Sequence, residues 1–107
     1  SDGTTWLYYL DTGDVKRIKY ADGTSTYYEY DDNHRRTKVV RSNSERVITE
    51  TVEFTYYSNN QVKTKTTIIG DKTTVESWAS NGVYCGCREI NNNEDTQVVG
   101  SICLKFV

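Results

Sequence analysis

Proline and methionine are absent from this chain, and leucine and alanine are scarce, with three and two residues among 107. Leucine and alanine are strong helix formers, so their scarcity argues against a helical fold. Threonine, valine and tyrosine are frequent instead, with 15, 11 and nine residues. Because β-branched and aromatic side chains favour extended strands, the composition predicts an all-β protein.

Other absences exclude several functions. No run approaches the roughly 18 apolar residues of a membrane helix, so we expect no membrane insertion. The net charge of -2 provides no overall positive field, and nucleic acid is not favoured as a partner. With one histidine, three cysteines and no known catalytic motif, we expect no metal, no cofactor and no catalytic residues. A mean hydropathy of -0.72 predicts a thin core.

Clusters of Asp, Asn, Ser and Gly recur at intervals of about 10 to 12 residues, as is typical of all-β folds. Asp22-Gly23 and Asn81-Gly82 predict two-residue hairpin turns, in which both residues take positive φ. The segments between the clusters predict nine strands, near residues 5–10, 15–20, 24–30, 35–41, 46–57, 61–69, 73–79, 83–90 and 96–106.

Short turns make each strand antiparallel to the one before it, which gives an up-and-down meander of about nine strands. An open sheet would leave two unpaired edges. We therefore expect the meander to be closed or strongly curled into a barrel, with an open single sheet as the alternative. The chain is interpreted as a single β-repeat domain of residues 1–107, or as a fragment of a longer protein.

The three cysteines allow at most one disulfide within the chain. Cys85 and Cys87 are two residues apart on a predicted strand, which places them on the same face. Pairing of this strand with the last one would bring Cys85 opposite or diagonal to Cys103. We expect a disulfide between Cys85 and Cys103. A bridge between Cys87 and Cys103, or three free thiols, are the alternatives.

One short pattern occurs four times, as an aromatic strand, a turn and a second strand, near residues 8–18, 28–39, 54–63 and 76–83. In the clearest copy, the pattern is carried by Tyr28, Tyr30, Asp31, Arg35 and Val39. This pattern resembles the YD repeat of bacterial Rhs-type and wall-associated surface proteins, over approximately residues 6–80. The resemblance implies an extracellular or cell-surface protein whose repeats form a β scaffold, with variable ends that can be toxic or adhesive.

Basic residues follow the tyrosine-rich strands, namely Lys16, Arg17, Lys19, Arg35, Arg36, Lys38, Arg41, Lys63 and Lys65. If these strands are neighbours, cations lie beside aromatic rings and form a binding surface. The residues predicted for it are Tyr28, Tyr30, Arg35, Arg36, Tyr56 and Tyr57. The ligand is unknown, with carbohydrate or another protein as candidates. The sequence also leaves open whether the chain forms an oligomer. In a simpler interpretation, these cations only pair with glutamates on neighbouring strands.

The sequence thus favours a non-enzymatic scaffold or binding module of a secreted or cell-surface protein. One alternative is a small-ligand-binding β-barrel whose interior would hold the alternating tyrosines. Another is a nuclease-type toxin domain, in which His34 and Glu29 would exchange protons and an arginine would hold the phosphate.

Overall fold

The computed structural model describes residues 3–91 and 94–99, with side-chain positions described over 3–91. Nine strands are present at the positions that the turn spacing predicts, although the last is described over a shorter range than expected. They are β1 (Thr5–Tyr8), β2 (Val15–Lys19), β3 (Ser25–Tyr30), β4 (Arg36–Ser42), β5 (Ile48–Tyr56), β6 (Val62–Ile69), β7 (Lys72–Trp78), β8 (Tyr84–Asn91) and β9 (Glu94–Val99).

The strands form an antiparallel meander, and their order in the sheet follows the order in the chain from β1 to β9. Over the described ranges β1 and β9 are not paired with each other, so the sheet is open. The expected closure into a barrel is therefore wrong, and the open-sheet alternative is confirmed. The edge strand β1 has four residues and so presents only a short row of unpaired backbone groups.

Two compact units make up the chain, and the boundary between Thr51 and Val52 falls within β5. Unit 1 is Ser1–Thr51 and unit 2 is Val52–Val107. In unit 1 the most buried side chains are those of Ile18, Thr26 and Val39, on three consecutive strands. Ile18 and Thr26 are directly opposite each other in the pairing of β2 with β3.

Among the residues of unit 2 whose side chains are described, 52–91, the buried side chains are those of Val52 and Cys85. None of the side chains that the structure describes is less than 2% exposed. This confirms the thin core predicted from composition. It also fits the open sheet, because a closed barrel of this strand number is filled by inward-facing side chains, of which the described residues supply few.

Five turns share one backbone geometry. The first residue donates its amide to the carbonyl of the residue four positions later, and the fourth residue donates back to the first, as for Asp31, Arg35 and His34. The fourth residue has positive φ in every case, at Gly23, His34, Arg46, Asn60 and Gly82. This is the three-residue hairpin loop that ends in a left-handed residue. The predicted two-residue turns are wrong, since Asp22 and Asn81 are not among the described residues with positive φ.

Asn and Asp side chains stabilise these turns in two ways. Asp31 and Asn43 occupy the first position and accept hydrogen bonds from backbone amides two and four residues later. Asp22, Asn59 and Asn81 occupy the third position and accept from the amide two residues later. Short polar side chains that bond the nearby backbone explain why the turn clusters could be read from the sequence.

A β-bulge follows the turn in three of the hairpins. One extra residue stands in the second strand, at Lys16 in β2, Thr37 in β4 and Cys85 in β8. A bulge interrupts the alternation of side chains and increases the local twist. The regular alternation that would place Cys85 and Cys87 on one face is therefore broken at Cys85.

Candidate functional site

Three of the residues predicted to bind a ligand are in contact in unit 1. The rings of Tyr28 and Tyr30 on β3 have centroids 6.4 Å apart. The guanidinium of Arg36 on β4 lies 4.4 Å from the centroid of Tyr28, and Arg36 is also opposite Tyr30 in the strand pairing. Tyr9 packs edge-on against Tyr30, with centroids 6.3 Å apart. The structure thus forms an aromatic cluster with a cation over one ring.

Arg35, also predicted to bind, is held by its own turn. Its Nε donates to Oδ2 of Asp31 at 2.8 Å, and its backbone amide donates to Oδ1 at 3.0 Å. Desolvation opposes the charged carboxylate, but the hydrogen bonds from Arg35 and Asn33 outweigh it and lower the pKa of Asp31. The guanidinium of Arg35 therefore stabilises the turn that contains Asp31 and Arg35.

Tyr56 and Tyr57, the last two predicted binding residues, belong to unit 2. Tyr56 stacks on Phe54 with ring centroids 6.4 Å apart. The ammonium of Lys63 lies 5.6 Å from the ring centroid of Tyr57. The six predicted residues are thus divided between the two units, with four in unit 1 and two in unit 2.

Cations lie over tyrosine rings along both units, as expected if tyrosine-rich and basic strands are neighbours. The pairs are Lys16 with Tyr9, Arg17 with Tyr27, Arg36 with Tyr28 and Lys63 with Tyr57. Each such contact stabilises an exposed site by about 0.5–1 kcal/mol. Part of the cation and tyrosine pattern is therefore explained by contacts within the protein.

Two tyrosine hydroxyls connect neighbouring hairpins, a feature that the sequence did not predict. The hydroxyl of Tyr9 donates to the backbone carbonyl of Tyr28 at 2.8 Å, from the end of β1 to β3. In unit 2 the hydroxyl of Tyr57 donates to the carbonyl of Trp78 at 2.8 Å, from the end of β5 to β7. Both tyrosines occupy the first position of a turn. This shared position is the feature of the sequence from which the two contacts could have been predicted.

The hydroxyl of Tyr9 stays protonated at physiological pH. Burial raises its pKa to about 12, together with the Tyr27 hydroxyl at 3.3 Å and the charge of Glu29. A protonated hydroxyl is required because a backbone carbonyl only accepts hydrogen bonds. The environment of Tyr9 therefore preserves the contact between β1 and β3.

Removing this hydroxyl tests the contact. We expect Tyr9→Phe to lower the free energy of unfolding by about 0.5–1.5 kcal/mol, because the carbonyl of Tyr28 loses a hydrogen bond. Tyr8→Phe is the matched control, since the Tyr8 side chain is 53% exposed. Urea unfolding followed by tyrosine fluorescence measures both variants. Equal destabilisation by the two substitutions would contradict the assignment.

His34 connects the turns of two hairpins in unit 1. Its Nδ1 lies 2.7 Å from Oδ2 of Asp14, and its side chain is 59% exposed. The hydrogen bond with Asp14 and the charge of that carboxylate raise the pKa of His34. A groove of about 480 Å³ beside it is lined by five carboxylate residues, Asp11, Asp14, Glu29, Asp31 and Asp32.

The contact between His34 and Asp14 predicts a change in titration. We expect the pKa of His34 to lie above the reference value of about 6.5 and to fall towards it in Asp14→Asn. Because the folded-state pKa is raised, the stabilisation is fully present below the unfolded-state pKa and is lost as pH rises through the folded-state value. NMR titration of the His34 ring measures both proteins, with Asp32→Asn as the control. An unchanged pKa in Asp14→Asn would contradict the contact.

The predicted disulfide is only partly within the described region. Cys85 is 3% exposed, whereas Cys103 lies outside the described residues, so the bridge remains a prediction. Cys87 carries a free thiol. Burial raises the pKa of this thiol, and the carboxylates of Glu76 and Glu89 raise it further, which makes it a weak nucleophile at neutral pH.

Comparison with known families confirms the resemblance inferred from the sequence. Residues 9–46 match the family model described as RHS Repeat, a YD repeat, and this segment contains Tyr28, Tyr30, Arg35 and Arg36. The match covers less than half of the chain. RHS repeats are typical of secreted or cell-surface proteins, which supports an extracellular or cell-surface repeat module. No curated protein shows a significant match. Within the described ranges, no helix has the length and apolarity to span a membrane.

Proposed function

We propose that this chain is a non-enzymatic scaffold module of a secreted or cell-surface bacterial protein, built by repetition of one hairpin. The observation that carries this proposal is the tyrosine contact between alternate strands. It occurs once in each unit, from β1 to β3 and from β5 to β7, at equivalent turn positions. Within each unit, one hairpin is thereby joined to the next by a side-chain hydrogen bond in addition to the backbone hydrogen bonds between neighbouring strands.

Contacts between turns support the same function. In unit 1, His34 on one turn binds Asp14 on another. In unit 2, the amide nitrogen of Asn59 donates to the carbonyl of Ser80 at 2.9 Å. Repeat proteins gain stability from such interfaces between neighbouring repeats, because one repeat does not bury enough surface by itself.

The edge strand β1 also fits a repeat array. Trp6 is 52% exposed and Tyr8 is 53% exposed, and β1 has β2 as its one partner among the described strands. An exposed edge with large apolar side chains is a template for pairing with a further strand. In a scaffold, a neighbouring hairpin would cover these side chains and complete the backbone hydrogen bonds.

The alternatives receive less support. Phosphate would be repelled by the five carboxylates around His34, and His34 is bonded to Asp14 and not to Glu29. Those features argue against the nuclease. An open sheet encloses no interior for tyrosines to line, which argues against the ligand-binding barrel.

A tandem protein tests the scaffold function. Two copies of the full chain, joined head to tail, are expected to have a higher melting temperature than the single chain, since contacts between copies add to stability. The control carries Leu7→Asp in the second copy, which places a charge on its edge strand, and the gain is expected to disappear. Equal melting temperatures for the single chain and the unmodified tandem would contradict a repeat scaffold.

A direct assay tests the absence of enzymatic function. The full chain is incubated with single-stranded RNA and DNA, and the products are separated by size. We expect no cleavage by the wild-type protein or by His34→Ala. Cleavage that is lost in His34→Ala would support the nuclease alternative and contradict the proposal.

A further inference from the structure

The sequence contains one Asn-Gly pair, Asn81-Gly82, and the scaffold function does not account for its chemistry. Both residues are exposed and lie in the turn between β7 and β8. The amide of Ala79 donates to the carbonyl of Val83 at 2.8 Å, and the amide of Gly82 donates to the carbonyl of Ala79 at 2.9 Å. The pair therefore belongs to a surface loop whose backbone path is fixed by two hydrogen bonds.

An asparagine that precedes a glycine lies next to its own nucleophile. The backbone nitrogen of Gly82 can attack the side-chain amide carbon, Cγ, of Asn81, because glycine has no Cβ to crowd the approach. A bond forms between this nitrogen and Cγ, and the bond from Cγ to Nδ2 breaks. Nδ2 leaves as ammonia with the proton of the Gly82 amide. The product is a cyclic imide.

Water then opens the imide at one of its two carbonyl carbons. Attack at Cγ of residue 81 breaks the new bond to the Gly82 nitrogen and leaves an aspartate. Attack at the main-chain carbonyl carbon breaks the original peptide bond and leaves an isoaspartate, whose main chain runs through Cβ and Cγ. Either route consumes one water and releases one ammonia, so no oxidant, cofactor or enzyme is required.

The neighbouring turn in unit 2 shows which features distinguish Asn81. Asn59 occupies the same position of its turn, but its amide nitrogen donates to the carbonyl of Ser80 at 2.9 Å, and its Oδ1 accepts from the amide of Gln61 at 3.0 Å. The residue after Asn59 has a side chain, which crowds the backbone nitrogen. Oδ1 of Asn81 accepts from the amide of Val83 at 3.1 Å, and no described residue bonds its amide nitrogen. The leaving nitrogen of Asn81 is therefore held less firmly than that of Asn59.

The closed turn slows the reaction without preventing it. The amide of Gly82 donates to the carbonyl of Ala79, so attack on Asn81 requires this hydrogen bond to break. Val83 and Tyr84, which follow the turn, are 49% and 41% exposed. Segments with few buried contacts open locally at a small free-energy cost. The reaction thus proceeds through brief openings of the turn.

The two products have different effects on the hairpin. Aspartate has a precedent in unit 1, where Asp22 precedes Gly23 at the same positions of a turn and accepts from the amide of Thr24 at 2.9 Å. An aspartate at residue 81 would accept from the amide of Val83 in the same way. Isoaspartate adds one carbon to the main chain. A loop that is one atom longer cannot keep both of its backbone hydrogen bonds.

We propose that Asn81 is a site of spontaneous modification, at which the folded protein slowly converts asparagine to a mixture of aspartate and isoaspartate. The isoaspartate form loosens the hairpin of β7 and β8 and breaks the contact between the Asn59 side chain and the carbonyl of Ser80. Unit 2 thus loses a contact between two hairpins as the protein ages. The inference does not depend on the scaffold function.

Trypsin separates the relevant asparagines for the test. It releases residues 73–88 with Asn81, residues 47–63 with Asn59 and Asn60, and residues 42–46 with Asn43. The full chain is incubated at physiological pH and temperature. Mass spectrometry then measures the replacement of NH2 by OH in each peptide, and labelling by an isoaspartate methyltransferase measures isoaspartate.

Modification is expected to be several-fold faster in the peptide that contains Asn81 than in the other two peptides, because only Asn81 precedes a glycine. In denaturant, Asn81 is expected to react about tenfold faster than in the folded chain, because two hydrogen bonds of the turn are already broken. The folded chain therefore reacts at a measurable but reduced rate.

Two variants separate the reaction from its consequences. Gly82→Asn copies the turn of Asn59 and Asn60, in which asparagine adopts a φ of 74° at the fourth position, and is expected to suppress the modification several-fold. Asn81→Asp copies the turn of Asp22 and should melt at the temperature of fresh wild-type protein. Wild-type protein that contains isoaspartate is expected to melt about 5–10 °C lower, because two hydrogen bonds are lost.

Three results would overturn the proposal. The first is modification of residues 73–88 that is no faster than that of residues 47–63. The second is modification in denaturant alone, which would show that the closed turn protects Asn81 completely. The third is an unchanged melting temperature in protein that contains isoaspartate, or an equal loss in Asn81→Asp, since the longer main chain would then have no effect of its own.

Discussion

Replacing Gly23 with alanine is expected to lower the free energy of unfolding by about 3 kcal/mol, the combined effect of backbone strain and steric overlap. Gly23 has a φ of +90°, a conformation that L side chains rarely adopt. A Cβ atom at this position would also lie 2.9 Å from Cβ of Ser44, in the next turn on the same side of unit 1. Thermal and urea unfolding measure the effect.

Gly13 provides a control that separates strain from overlap. Its φ is +80°, and a Cβ atom there would have no atom within 4 Å. Gly13→Ala is therefore expected to cost about 1–2 kcal/mol, from backbone strain alone. Ser44→Gly should recover part of the loss in Gly23→Ala, which a double-mutant cycle measures. Equal losses of stability in Gly13→Ala and Gly23→Ala would show that the turn of Gly23 is not in close contact with the turn of Ser44.

Loss of the predicted disulfide is expected to have a similarly large effect. A bridge between Cys85 and Cys103 would close a loop of roughly 18 residues and contribute about 3 kcal/mol. For a domain of this size, Cys85→Ser should then lower the melting temperature by roughly 12 °C or more. The measurement is calorimetry of the oxidised protein before and after reduction.

Cys87→Ser is the matched control, because Cys87 has a free thiol. We expect this substitution to leave both the melting temperature and its sensitivity to reductant nearly unchanged. Mass spectrometry after alkylation should find one modified thiol in the oxidised wild-type protein. Three modified thiols, or an unchanged melting temperature on reduction, would show that the bridge is absent.

The positions of the strands could be predicted because each boundary is marked by local chemistry. Asp31, Asn43 and Asn59 bond the backbone of their own turns, so the turn signal does not depend on distant residues. Closure of the sheet depends instead on whether β1 and β9 pair, and on side chains large enough to fill an interior. Among the described residues the buried aliphatic side chains are Ile18, Val39 and Val52, which are too few to fill one; composition predicted this thin core but did not show that it leaves the sheet open.

The type of turn was harder to predict than its position. His34 and Arg46 have φ values of 62° and 67°, and arginine is not a residue that usually marks the left-handed region. Their backbone hydrogen bonds impose this conformation in the same way as at Gly23 and Gly82. A prediction based on Asp-Gly and Asn-Gly pairs identifies the residue in the last position but assigns the wrong loop length.

The candidate sites show the same limit. The sequence indicated that cations accompany tyrosines, and the contact of Arg36 with Tyr28 agrees with this. It did not predict which cations of β2 and β4 lie beside which tyrosines, because the bulges at Lys16 and Thr37 shift the alternation of these two strands by one residue. The placement of Arg17 opposite Tyr27 and of Lys19 opposite Ser25 could be recognised only from the register.

The spacing between connected turns has a consequence for how the gene can change. His34 and Asp14 are 20 residues apart, and Tyr57 and Trp78 are 21 residues apart, so one hairpin corresponds to a nearly constant length of DNA. Duplication or deletion of that length inserts or removes a whole hairpin and leaves the faces of the remaining strands unchanged. Unequal recombination between copies can therefore change the number of hairpins in a single event, and each resulting protein still consists of whole hairpins.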